Sequence, residues 1–196
     1  MQLTQLSRGA DFRSEAAPSN IFRPFFLAGL LTVLTAGCTL GAIALLGIGV
    51  SGTFTSSKWA PTIWAHANSQ FFGWVGFFVL GFALQHQPPS RGRASAFRAF
   101  ALWIIGLMAS GILLRFTAEA LFRTSPEIWI PIGLFSTLLQ FLALALYFVC
   151  VRSTRAKGSR PTSWHPSFGN AALAALLVCA ALEPVMFLGS HDPDPQ

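Results

Sequence analysis

Charge is what this 196-residue sequence has least of: Asp, Glu, Lys and Arg together supply 10% of it, against roughly 25% in an ordinary soluble domain. So few ionic groups cannot clothe a surface that meets water on every side. Cysteine pairs are also missing. Cys38, Cys150 and Cys179 stand singly inside or at the end of apolar runs, so neither a Cys-x-x-Cys zinc site nor a Cys-x-x-Cys-His haem attachment is encoded, and the three read as small packing residues. No His-x-x-x-His, no Glu-x-x-His and no carboxylate pair at catalytic spacing occurs, which leaves a metallohydrolase without support and no residue to name as catalytic. Nor is there an internal repeat or a pair of interrupted helices of the kind a secondary transporter uses. The thirteen Lys and Arg residues give a formal charge of +6. They form short clusters between apolar runs instead of one continuous stripe, which speaks against a nucleic-acid partner.

What is present is hydrophobic residues, 53% of the chain, in runs of about 20 or more, unbroken by the polar residues that return every third or fourth position in a soluble amphipathic helix. The sequence therefore predicts an all-α integral membrane protein with a bundle of about five transmembrane helices, over residues 25–50, 63–84, 99–121, 128–151 and 168–188. Each is long enough at ~1.5 Å per residue to cross ~30 Å of hydrocarbon. Residues 1–22 form a polar amino-terminal segment, 23–188 the membrane domain and 189–196 a polar acidic tail. The first apolar run is too long for a signal-peptide core and lacks a small-residue cleavage site, so it reads as a retained helix. Arg8, Arg13, Arg23, Arg91, Arg93, Arg98, Arg152, Arg155, Lys157 and Arg160 fall on one side, and Lys58, Arg115 and Arg123 on the other. Ten against three places the amino terminus in the cytoplasm and the carboxy terminus outside, in a multi-pass protein of the cell inner membrane. Trp59, Trp64 and Trp129 then lie near the outer interface and Trp164 near the inner one, the depth amphipathic indoles prefer.

Polar residues inside these spans carry the functional signal. His66, Asn68, Ser69 and Gln70 sit in the outer third of the second span, Arg115 and Glu119 one turn apart in the outer half of the third, and Glu183 just before Pro184 near the outer end of the fifth. Groups at that depth are costly unless partnered. They read either as interhelical hydrogen bonds and an Arg115–Glu183 ion pair, with snorkelling of Arg115 as the alternative, or as a cofactor site. As a neutral imidazole facing the bundle, His66 would be a candidate axial ligand for haem iron or a chlorin magnesium, with Arg115 near acidic propionates and Phe71, Phe72 and Trp74 as an apolar wall. His86, twenty residues on and about 30 Å away along the helix, cannot share that centre. Gly37, Gly41 and Gly73 present small faces at which helices can approach closely.

Phe22 to Leu31 reads FRPFFLAGLL, followed by a long helix and the His66–Gly73 segment. This stretch resembles the opening of the NnrS family, multi-helix membrane proteins linked to nitric oxide stress, over about Phe22 to Pro88 and more loosely through the third span with Arg115. The resemblance implies association with haem and copper. Where the family commonly shows W-H-A-H-E, this chain has His66 at the first histidine, Asn68 at the second and Ser69 at the glutamate, in a chain about half the family's length. Two readings follow. One is a non-catalytic accessory subunit that packs through Gly37, Gly41 and Gly73 against other integral membrane subunits and lipids of a larger respiratory or photosynthetic complex, touching haem or a pigment through His66. The other is a small NnrS-like haem-binding protein of nitric oxide or redox stress.

Overall fold

A computed structural model describes residues 20–52, 59–87, 89–90, 92–154 and 165–191, apart from the side chains of His165, Pro166 and Ser190. Residues 1–19, Lys58, Arg91, Arg155, Lys157, Arg160, Trp164 and the tail from Asp192 lie outside the described residues. All the regular structure among those described is helical.

Five helices are long and apolar enough to cross a membrane. We number them α1 (Phe22–Ser51), α2 (Ala60–Gln85), α3 (Ala94–Leu121), α4 (Pro126–Thr154) and α5 (His165–Ser190). Each extends a few residues beyond its apolar run, because polar residues at an interface can still make helical backbone hydrogen bonds. Pro24 and Pro61 sit in the first turns of α1 and α2, where a missing N–H costs nothing. Gly52 ends α1 in the left-handed conformation (φ 67°), its N–H donating to the Ile48 carbonyl at 2.9 Å.

Helices α2, α3, α4 and α5 pack around a common core, each against two neighbours within it; α1 lies on the outside of this four-helix bundle, chiefly against α2, and the α1–α2 and α3–α4 hairpins are the two most extensive pairings. Burial follows that placement: 56% of the apolar window of α2 is buried inside the protein and only 17% of that of α1. The outer faces of α1 carry Leu27, Leu34, Leu45, Leu46 and Val50, exposed as a lipid-facing surface requires.

Two wide π-helical turns, Val33–Gly37 in α1 and Ser69–Gly76 in α2, meet at the α1–α2 contact. A turn of this kind takes in an extra residue, resets the helical phase and loosens the regular i to i−4 pairing. The small residues here are filled from within the chain. A Cβ on Gly37 would stand 2.9 Å from Gln70 Nε2, one on Gly41 2.8 Å from His66 Cε1, and one on Gly73 2.3 Å from Thr32 Cγ2. The small face of Gly37 and Gly41 is thus taken by α2 of the same chain and is not left for another subunit.

The core is layered. Leu80, Ile104, Met108, Leu144, Leu173 and Leu176 form its apolar middle. A polar group closes each end.

Candidate functional site

The buried face of α4 runs through Gly133, Ser136, Thr137, Gln140, Leu144, Tyr147, Cys150 and Thr154, at the three- and four-residue spacing of one helical stripe. Ser136 and Thr137 donate back to the carbonyls of Gly133 and Leu134 at 2.6 and 2.7 Å, which satisfies their hydroxyls within the helix. Gln140 instead reaches across the bundle. It exchanges two hydrogen bonds with Asn68 of α2: Asn68 Nδ2 donates to Gln140 Oε1 at 3.2 Å and Gln140 Nε2 donates to Asn68 Oδ1 at 3.1 Å. Both residues are buried.

Asn68 Nδ2 also donates to Glu183 Oε1 of α5 at 3.2 Å, and the network turns ionic there. Arg115 Nη2 lies 3.1 Å from Glu183 Oε1 and Arg115 Nε 3.0 Å from Glu119 Oε1. The guanidinium carbon stands 4.2 Å over the Phe187 ring. Arg115 is 1% exposed, so it does not snorkel to the headgroups. His191, one residue beyond α5, completes the set: Nε2 is 2.9 Å from Glu119 Oε2 and Nδ1 donates to the Phe187 carbonyl at 2.7 Å, with the ring against Phe122 and Phe187.

Both ring nitrogens of His191 thus face acceptors, so the pair His191–Glu119 holds a proton that a neutral histidine beside a carboxylate would lack. With that proton, two cations face two carboxylates and the cluster is neutral, which low-dielectric surroundings strongly favour. Burial pushes the His191 imidazolium down, but the Glu119 carboxylate and the Phe187 carbonyl outweigh it, and its pKa lies above the ordinary value. A raised pKa stabilises the folded form fully below about pH 6.5, and that stabilisation is lost as pH rises through the folded value. His191→Gln should therefore flatten the alkaline limb of a stability–pH profile measured by denaturant unfolding in micelles. An unchanged profile would mean that His191 carries no linked proton.

At the opposite end, Gln87 Nε2 donates to the Tyr147 hydroxyl at 2.6 Å and to Asn170 Oδ1 at 2.8 Å, while Tyr147 donates to the same Asn170 oxygen at 2.7 Å. This triangle ties the end of α2 to α4 and α5. Beside it, the backbone N–H and the hydroxyl of Ser90 both donate to the Thr154 carbonyl at 2.9 Å, and Arg93 Nη1 to that of Ser153. His86, exposed, donates from Nδ1 to Phe82 O at 2.8 Å.

His66 belongs to another face. Two residues before Asn68, it turns towards α1, and its Nδ1 lies 2.6 Å from the Gly37 carbonyl. A carbonyl can only accept, so Nδ1 carries a proton, and in the neutral imidazole the lone pair is then on Nε2. Gly37 ends the π-helical turn of α1 with ψ −72°, about 30° past the usual helical value, which tilts its peptide off the helix axis. The ring is half-buried. An Nδ1–H held by a backbone carbonyl is the arrangement that orients a histidine for ligation through Nε2. The fit to a haem or chlorin is partial. His66 suits one axial position, but Arg115, enclosed by Glu119 and Glu183, is not placed to meet a propionate. Phe72 is buried in the core, while Phe71 and Trp74 are exposed, so the three form no single wall.

The interior therefore gathers Asn68, Arg115, Glu119 and Glu183, and adds Gln140 and His191. Ser69 donates to Ala65 O within its own helix at 2.8 Å, and Gln70 turns with His66 towards α1. The polar stripe of α4 was the signal that could have pointed to Gln140 and Tyr147. Among the described residues, no three His, Cys, Asp or Glu side chains are grouped to hold a metal ion. In comparisons with protein-family models, curated proteins and solved structures, nothing matches this chain.

Proposed function

We propose that this chain is an accessory subunit of a larger respiratory or photosynthetic membrane complex, contributing no catalytic group and offering His66 as a contact or axial ligand to a haem or chlorin held at the α1–α2 surface. The observation that carries the reading is the 2.6 Å hydrogen bond from His66 Nδ1 to the Gly37 carbonyl, which leaves the Nε2 lone pair for a metal. The closed network at the core supports the rest: Arg115, Glu119, Glu183, Asn68 and Gln140 are spent on one another. The NnrS-like alternative, with Arg115 at a propionate, would have to break two ion pairs, so we place it second. In either case the orientation we adopt is amino terminus in the cytoplasm and carboxy terminus outside, in the cell inner membrane.

Gentle solubilisation followed by mass analysis and an absorption spectrum tests the proposal. The expected result is co-isolation with other integral membrane subunits, carrying a Soret or chlorin band that His66→Ala removes while leaving assembly intact. A stable monomer that bears its own cofactor and redox activity would reverse it.

A further inference from the structure

At the basic end of the molecule, a slot of about 390 Å³ lies between the start of α1 and the first turns of α3. Ile21, Pro24, Ala101 and Ile105 give it apolar walls, and Asn20 and Arg98 stand at its mouth. On α3 the wall residues follow Arg98 at three, four and seven positions, through Ala101, Leu102 and Ile105, so they continue one helical stripe from the cation into the apolar span.

The charge around this mouth is of one sign. Arg23, Arg93, Arg98 and Arg152 all lie at this end, whereas the acidic residues among those described, Glu119, Glu127 and Glu183, all lie at the other. Arg93 is engaged with the Ser153 carbonyl. Arg23 and Arg98 are exposed, and their side chains pair with no acceptor among the described residues. Neither α1 nor α3 starts with a side-chain cap or an acidic residue in its first turn, so the positive ends of both helix dipoles add to the field.

We infer that this slot binds an anionic phospholipid of the surrounding bilayer, its phosphate at Arg98 and Asn20 and the upper part of one acyl chain along Ala101, Leu102 and Ile105. A free inorganic phosphate would satisfy the arginine and leave the apolar wall unused. A zwitterionic lipid would fill the wall but bring its own cation to a site already rich in them. Only an anionic lipid answers both features, since each arginine near a membrane surface adds about 1 kcal/mol of attraction to anionic lipid.

The full-length protein in nanodiscs, titrated with photo-crosslinkable phosphatidylglycerol or phosphatidylcholine of identical chains, provides the test. Wild type should crosslink phosphatidylglycerol in clear preference, with adducts mapped to residues 101–105. Arg98→Gln should reduce that preference roughly fivefold, about the equivalent of one lost charge contact, and Arg123→Gln at the other end should leave it unchanged. Mapping on the wild-type protein decides the case even if Arg98→Gln fails to fold. Equal labelling by the two lipids, adducts outside the α1–α3 seam, or an equal loss on Arg123→Gln would overturn the assignment.

Discussion

Replacing Arg115 with leucine should cost the folded bundle about 3–5 kcal/mol, the range found when one partner of a buried ion pair is removed. The cost comes from what remains: Glu119 and Glu183 would face each other's charge across a site whose guanidinium is gone, with Asn68 and His191 as their other partners among the described residues. Rescue is the sharper test. Arg115→Leu combined with Glu119→Gln and Glu183→Gln removes the guanidinium and both carboxylates together and leaves His191 without a carboxylate to hold its proton, so the site becomes neutral and the triple variant should recover most of the loss, because a neutral, well-packed replacement of a buried ionic cluster is often harmless. Unfolding midpoints in mixed micelles would read both effects. A single variant as stable as wild type, or a triple variant no better than the single, would show that the network does not hold the bundle as described.

Gly111→Val should be nearly as damaging, for a steric reason. A Cβ at Gly111 would stand 2.7 Å from Gln140 Cγ and 2.9 Å from the Ser136 carbonyl, and the carbonyl belongs to the backbone of α4 and cannot swing aside. Forcing α3 and α4 apart costs about 1–3 kcal/mol as overpacking. Displacing Gln140 also breaks its amide pair with Asn68, worth roughly 0.6 to 1.7 kcal/mol in a membrane interior. Gly106→Val on the same helix is the matched control, since nothing lies within 4 Å of a Cβ there. The same unfolding measurement should leave the Gly106 variant near wild type and shift the Gly111 variant strongly. Equal shifts would assign the effect to helix propensity instead of to the α3–α4 contact.

The five helices and the common level of Arg115, Glu119 and Glu183 were legible in the sequence, because unbroken apolar runs fix the spans and the alternation of spans fixes depth. Rotation was harder to read. Asn68 and His66 looked like members of one cluster, yet one meets Gln140 and the other Gly37. Residues two apart on a helix differ by about 200°, so they cannot share a face. The π-helical turns at Val33–Gly37 and Ser69–Gly76 each add an offset that a 3.6-residue period does not reveal. That hid the approach of Gly37 and Gly41 to α2, and with it the loss of these glycines as a surface for another subunit.

His191 escaped notice for a different reason. It follows the last apolar run and reads as tail, but Phe187 beneath it and Glu119 across from it fold it back onto the end of α3. Gln140 lies midway along α4 on a stripe with Ser136 and Thr137, and a buried polar residue there reveals its partner only once the neighbouring helix is in place. Tyr147, Asn170 and Gln87 meet for the same reason, from two separate helices and the end of a third.

Side-specific cysteine labelling tests the central claim, five crossings with the charged cluster sealed inside, most directly. In a background with Cys38, Cys150 and Cys179 replaced, single cysteines at positions 98, 123 and 152 would be probed in intact cells with an impermeant maleimide, then again after lysis. The account predicts labelling at 123 in intact cells and at 98 and 152 only after lysis, since α3 and α4 each carry the chain across the bilayer once. Labelling of 98 and 123 from the same side would contradict it.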